Sequence, residues 1–330
     1  MLSSKKSKRK AFLFLLLLLP FLLFFFWWQS AVRPPSPQDS SPKAFVIRRG
    51  ESLDSIARRL AQTGLIKSPA AFKLVVVTQG LAKKIQAGRF QLSPSQNLFQ
   101  LAESLTHGTT DVWVTLPEGL RREEIAQRIA QVFSQNDASF DQDRFLALTQ
   151  DLEGYLFPDT YLIPLTASAD QVVSLLKDNF DQKFSQVKNR TSLSDAEVVI
   201  LASLIEREVK HAADRPIVAG ILLKRLEHRW PLQVDATIQY ALGFQEEEGS
   251  WWKKNLTAAD LQLDSSYNTY QNLGLPPTPI CNPGLASLKA AANPQDSPYW
   301  FYLSDPQGNL HYAETLEQHQ ANIRRYLKKT

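Results

Sequence analysis

Hydrophobic positions are continuous at the start of this chain and periodic over most of its remaining length. Residues 11–28, from Ala11 to Trp28, carry no charge and are mostly Leu and Phe. Eighteen residues at ~1.5 Å each span roughly 27 Å, enough to cross a bilayer core. Trp27 and Trp28 sit where an interfacial aromatic belt would lie. The run exceeds the ~7–15 apolar residues of a cleaved signal peptide, so it reads as a retained transmembrane helix. Lys5, Lys6, Lys8, Arg9 and Lys10 lie in the tail of residues 1–10. Basic flanks stay inside, which puts everything after Trp28 outside the plasma membrane on a single-pass anchor. Residues 29–43 hold Pro34, Pro35, Pro37 and Pro42 among Ser and Gln, the composition of a short extended linker.

Beyond the linker the rhythm becomes strand, turn, helix. Phe45-Val46-Ile47 predicts a strand, Gly50 a turn, and Ser52 the cap of a helix whose apolar face is Leu53, Ile56, Ala57 and Leu60. Ser68 and Pro69 open a second helix that stops at Gly80. Arg89 to Leu92 alternates like a strand, and a helix follows from about Ser95 to Leu105. The unit then recurs: strand Val112 to Leu116, turn Gly119, helix face Ile125-Ala126 and Ile129-Ala130. Gly50 to Ile56 and Gly119 to Ile125 have the same separation, which suggests related supersecondary units. Coincidence of two amphipathic βα units is the alternative.

Further on, Leu152 to Tyr161 is aromatic-rich and broken by Gly and Pro, a core plug or a sugar-facing loop. Helices are predicted over Asp170–Phe184, from Ser194 onward with Glu197 completing a capping box, and over Asp214–His228. Three later stretches read as loops dense in amides, hydroxyls and tyrosines: 231–240, 266–270 and 274–284. A hairpin around Asp305 to Asn309 and a helix from Leu316 to Leu327 close the chain. The expected fold is α+β: a transmembrane helix (11–28), a small βα module (44–108) and a larger mixed domain (109–330), with 109–165 as a second βα connecting unit.

Composition narrows the classes. The chain has 330 residues, 44% of them hydrophobic, enough for more than one core. The net charge is +4, and the five tail cations account for more than all of it. The near-neutral remainder argues against a nucleic-acid partner. Cys281 is the single cysteine, which excludes an internal disulfide. No metal-ligand spacing and no Gly-rich phosphate loop appears, so no metal or other cofactor is expected. His311 reads as structural.

The candidate chemistry sits in Val199-Ile200-Leu201-Ala202-Ser203-Leu204-Ile205-Glu206-Arg207-Glu208. A carboxyl beside aliphatic side chains loses hydration and tends to keep its proton, which suits a general acid. Glu206 and Glu208 lie about 200° apart around a helix, so they cannot form one dyad. The bland reading of Glu206 is a surface pair with Lys210 at i,i+4.

Phe45 to Ala57 resembles the opening strand, turn and helix of a LysM module, a binder of N-acetylated wall sugars. The long second helix and Gly88 to Leu92 depart from that pattern. Over a longer span, Leu201 to Glu208, Leu232-Gln233-Val234-Asp235-Ala236-Thr237, Tyr267-Asn268-Thr269-Tyr270, Gly274-Leu275-Pro276-Pro277 and Asn282-Pro283-Gly284 are similar, in order, to motifs of the endolytic murein transglycosylases, the MltG/YceG-like family. The resemblance implies a membrane-anchored enzyme that cuts the β-1,4 bond from N-acetylmuramic acid to N-acetylglucosamine in nascent strands. It leaves 1,6-anhydro ends and terminates elongation. Glu206 matches the family's catalytic glutamate. Gln233, Asn268, Thr269 and Asn282 are candidates for orienting sugar groups, Tyr267 and Tyr270 for stacking, and Asp235 for stabilising positive charge. Peptidoglycan strands and the plasma membrane are the implied partners, with the wall-synthesis glycosyltransferase and transpeptidase machinery a further one. Two alternatives stay open: a muramidase using Glu206 and Asp235, and a non-catalytic wall-binding scaffold.

Overall fold

The computed structural model describes residues 19–106 and 111–327. The tail 1–10 and residues 11–18 of the expected transmembrane span lie outside them. Residues 19–32 form helix α1. Among the described residues no helix is long and apolar enough to cross a membrane. Ala31 at the end of α1 is buried in the first core, with Trp28 and Val32 packed against it, while Leu19 and Phe21 to Phe26 are exposed.

By its contacts the chain divides into two compact units, Met1–Trp113 with Leu162–Thr166, and Val114–Tyr161 with Ala167–Thr330. The first contains β1 (Lys43–Ile47), α2 (Leu53–Gln62), α3 (Pro69–Thr78), β2 (Gly88–Leu92) and α4 (Leu98–Ser104). Ser52 and Ser68 cap α2 and α3 as the sequence predicts, accepting from Ser55 N and Ala71 N. β1 and β2 pair antiparallel with Phe45 opposite Phe90. Their inward residues meet Ile56, Leu60, Phe72 and Val76 in one core. Strand β3 (Asp111–Thr115) continues the sheet, with Gly88 opposite Val112, and β4 (Thr160–Pro164) completes the order β1-β2-β3-β4.

The second unit carries α5 (Arg122–Ser134), α6 (Gln142–Leu148), α7 (Ala169–Phe184), α8 (Asp195–Glu208), α9 (Arg215–Glu227), α10 (Asp235–Leu242), α11 (Leu285–Ala292), the hairpin β5 (Phe301–Ser304) and β6 (Leu310–Ala313), and α12 (Leu316–Tyr326). Ser194 and Glu197 form the capping box of α8. From Val198 to Ile205 every residue of α8 is buried, on all faces. A helix apolar all round belongs inside a core, and this one is wrapped by α9, α10 and α11, with Phe180 of α7 in the same cluster. Its first turn, Asp195 to Glu197, is exposed, and its last, Glu206 to Glu208, leaves the apolar interior at the other end.

The recurrent unit is visible in both places: β1, Gly50 at φ +77° and α2; then β3, Gly119 at φ +80° and α5. A residue with a Cβ would be strained in either turn. The segment read as a loop at 231–240 is corrected in part, while 274–284 holds no helix or strand, as expected. Asp235–Leu242 is helical, and helix Leu285–Ala292 starts directly after Gly284, each without a side-chain cap to announce it. Helix α6 and strand β4 are further additions to the expected set. Leu156 and Phe157 are buried, so the aromatic 152–161 stretch is a core plug.

Candidate active site

Three helix ends and one turn converge on Glu206, all within the second unit. Glu206 lies in the last turn of α8, where the helix dipole is negative and favours cations. Arg215, the first residue of α9, supplies one. Its Nη2 donates to Glu206 Oε1 at 2.9 Å and its Nη1 to Oε2 at 3.4 Å. The third partner is Gly284, the N-cap of α11, whose backbone N–H donates to Oε2 at 3.0 Å. The carboxylate therefore also faces the positive end of α11. The two side chains are 8% and 5% exposed, Arg215 and Glu206 respectively.

This corrects two readings from sequence. Glu206 does not sit in a purely aliphatic pocket; it is buried, ion-paired and surrounded by donors. It does not pair with Lys210 either, whose Nζ donates to the Gln307 carbonyl. Glu208 takes the opposite side of α8, as the helical angle requires, and accepts from the Tyr302 hydroxyl at 3.3 Å. Burial first, and the Asp235 charge second, push Glu208 up to about 7.

A second carboxylate shares Arg215. Glu118, just before the turn at Gly119, lies 3.7 Å from Arg215 Nη1 and is 48% exposed. Burial and then the charge of Glu206 hold its carboxyl above the usual carboxylate range, with Arg215 opposing. Gly284 lets it in, because a Cβ there would overlap Glu118 Oε1. Arg207 forms a neighbouring wall, its guanidinium 3.6 Å from the Trp252 ring and its Nη1 donating to the Gly119 carbonyl at 3.3 Å.

The loop that delivers Gly284 is pinned from below. Ser203 Oγ, buried in α8, accepts from Ile280 N at 3.0 Å, and Cys281 Sγ contacts Ser203 O at 3.3 Å. Burial pushes the Cys281 thiol up. Asn282 is the hub: its Oδ1 accepts from Gly154 N and Leu156 N, and its Nδ2 donates to Leu120 O and Glu153 Oε1. Backbone bonds add Gly119 N to Asn282 O and Asn282 N to Leu120 O, both 2.9 Å. Burial, then the Glu123 charge, push Glu153 up to about 8.

The other sequence-predicted residues do not touch Glu206. Asn268 is buried, donating to Leu261 O and Leu263 O and accepting from Tyr270 N. Thr269 is buried and accepts from Val234 N. Gln233 is exposed at φ +53°, its N–H on the Thr269 carbonyl. Asp235 is exposed and accepts from the Tyr270 hydroxyl. Tyr267 bonds Thr278 through its hydroxyl and packs on Tyr240 at 5.0 Å. Sequence reasoning missed Glu118, Arg215 and Arg207. Arg215 stands outside α8, beyond the reach of helical periodicity; the one signal for Glu118 was its place beside a turn glycine at a strand end. His311 bonds Asp305 and stacks on Tyr326, a structural role. Among the described residues no cluster of three or more His, Cys, Asp or Glu is arranged to hold a metal ion.

Known proteins resemble this chain over most of its length. An endolytic murein transglycosylase of Bacillus subtilis is 32% identical over 309 residues, covering 85% of this chain and 84% of that protein. An endolytic murein transglycosylase of Streptococcus pneumoniae is 28% identical, covering 87% of this chain and 59% of that longer protein. The crystal structure of a putative yceG-like protein from Listeria monocytogenes superposes with a TM-score of 0.58 at 27% identity, covering 88% of this chain and 99% of that one. The profile of the YceG-like family matches residues 45–325, and the chain belongs to that family.

Proposed function

We propose that this protein is a lytic transglycosylase of peptidoglycan, with Glu206 at the centre of its chemistry. The observation that carries the reading is the buried Glu206 at the meeting point of α8, α9 and α11. It stands in a chain 32% identical to a protein named endolytic murein transglycosylase. In such a reaction the oxygen linking N-acetylmuramic acid to N-acetylglucosamine is protonated, and positive charge develops at C1. The C6 hydroxyl of the same muramoyl unit then attacks C1 and gives up its proton. The product is a 1,6-anhydro end, and no water is consumed. One proton goes out and one comes back, so a single carboxyl can carry both in turn; hydrolytic glycosidases use two.

The finer reading is cleavage within nascent strands by an anchored enzyme, so that elongation stops close to the membrane. The uncharged sequence from Ala11, the five preceding cations and the exposed apolar side chains of Phe21 to Phe26 support an anchor. The short Pro-rich linker would keep the enzyme where the synthesis machinery makes new strands. The order β1, α2, α3, β2 with paired strands supports a LysM-like wall-binding role for the first unit. A muramidase with Asp235 as second carboxylate gains no support from geometry, because Asp235 is bound to Tyr270 and lies on the Glu208 side.

The test is Glu206→Gln assayed on purified glycan strands. The expected result is a folded protein with cleavage lost. Near-normal turnover by the folded variant would refute the proposal.

A further inference from the structure

We propose that a basic groove leading away from Glu206 holds the acidic peptide that muramic acid carries on its lactyl group, so that the enzyme reads the peptide as well as the sugar chain. This deepens the transglycosylase reading and rests on it. The groove has a volume of about 510 Å³, and its cations are Lys188, Arg190 and Lys289.

The groove lies wholly within the second unit. One stripe of α11 lines it, Ala286, Lys289, Ala290 and Asn293, spaced three or four residues apart. The segment between α7 and α8 that carries Lys188 and Arg190 supplies another wall. That wall is tied down. Arg190 N donates to Ala292 O at 2.9 Å, and Asn293 Nδ2 donates to Lys188 O at 3.1 Å. The backbone under two of the cations is therefore fixed against the end of α11. No carboxylate lines the groove. Among the described residues none of the three cations is in an ion pair. Like charges gathered without a counter-ion repel one another, so an anion arriving from outside lowers the energy of the site.

The place of the groove says what that anion is attached to. Helix α11 is entered at Gly284, whose N–H is on Glu206, and Ala286 stands two residues further, about 3 Å along the axis. Pro216, another lining residue, follows Arg215, the guanidinium that grips Glu206. The groove thus opens within one helical turn of Gly284. It leads away for roughly 10 Å, the rise from Ala286 to Asn293, with Lys289 midway and Lys188 and Arg190 at the far end. A muramoyl unit placed for attack at its own C1 carries its lactyl group at C3, directed off the sugar chain. A peptide extended from there advances at most about 3.5 Å per residue. The carboxylates of its first few residues therefore fall along the stretch that the three cations line. Ala286, Ala290 and Pro216 offer apolar contact to small side chains such as alanine. A bare sugar backbone, which is uncharged, would give these cations nothing to pair with.

The experiment measures cleavage of three strand preparations by the full chain. The first carries uncross-linked peptides, the second has had them removed from the lactyl groups by an amidase, and the third keeps them with their carboxylates amidated. Wild type should show its lowest KM on the first, and rising salt should narrow the difference, because the three cations are exposed. The amidated strands should behave like the peptide-free ones, which separates charge from bulk. The triple variant Lys188→Gln, Arg190→Gln, Lys289→Gln should raise KM on peptide-bearing strands about 10-fold with kcat little changed, the worth of several screened ion pairs together. Its preference among the three preparations should disappear. Wild type with equal KM on all three, a variant that keeps the wild-type preference, or a variant that loses equally on all three would overturn the assignment. Each of those results still yields anhydro ends and leaves the transglycosylase reading intact. Wild type that releases no anhydro ends from any preparation would instead bring down that reading, and this inference with it.

Discussion

Replacing Arg215 with Met keeps a long apolar stem but removes the charge that holds Glu206. The two side chains are 8% and 5% exposed and joined at 2.9 and 3.4 Å, so solvent screens the pair little. Removing one partner of a buried pair leaves an uncompensated charge and costs ~3–5 kcal/mol. The Gly284 N–H remains as a donor to Glu206, but it carries no full charge. In a domain of this size each kcal/mol moves Tm by roughly 2–4 °C, so the expected fall is about 6–20 °C. Glu206→Gln should cost less, because Arg215 still has Glu118 at 3.7 Å. The double variant Arg215→Met with Glu206→Gln no longer buries a lone carboxylate, and it should be more stable than Arg215→Met alone. Urea unfolding of the four proteins, with m unchanged, gives the coupling energy. A value above ~1 kcal/mol is expected. Additivity within about 0.5 kcal/mol would refute the claim that these two groups depend on each other.

Three further outcomes rest on the same geometry. Gly284→Ala has an ordinary backbone, φ −77°, but its Cβ would overlap Glu118 Oε1. The half-exposed Glu118 should swing away with little change in Tm, while a shift near 1 Å of the Gly284 N–H that holds Glu206 lowers strand cleavage by about 10²; an unchanged rate would contradict this. Glu153 is raised from 4.5 to about 8, so between those values the unfolded chain is ionised there and the folded one is protonated. Its contribution is therefore complete below about pH 4.5 and is lost as pH rises to about 8; Glu208, at about 7, adds the same sign over a narrower window. Glu153→Gln should flatten the fall of Tm with pH, and an equally steep fall in the variant would count against the assignment. Glu206→Gln should retain far more stability than Arg215→Met while losing strand cleavage, and a reversal of that stability order would oppose the ion-pair account.

What the sequence disclosed was local. Ser52, Ser68 and Ser194 announced their helices because a capping hydroxyl acts on an amide three residues away. Gly50 and Gly119 marked turns because only the missing Cβ permits their φ. The unbroken apolar run before Glu206 correctly foretold a buried helix ending in a carboxylate. It did not foretell the environment of that carboxylate, because Arg215, Gly284 and Glu118 reach it from other elements. The amides were ambiguous for the same reason. Asn282 bonds Glu153, 129 residues away, and Asn268 closes its own loop. A side-chain amide that binds sugar and one that staples backbone are identical on paper. Helices α10 and α11 escaped notice because neither begins with a side-chain cap, and Val234 and Gly284 stand where a Ser or Asp would have spoken.

The most direct measurement is the mass of the fragments released from purified glycan strands in water enriched in heavy oxygen, with wild type and Glu206→Gln side by side. The account predicts anhydro-ended fragments, one water lighter than reducing ends and free of heavy oxygen, from wild type and none from the variant. Reducing ends carrying the heavy oxygen would contradict it, because water and not the C6 hydroxyl would then have attacked C1.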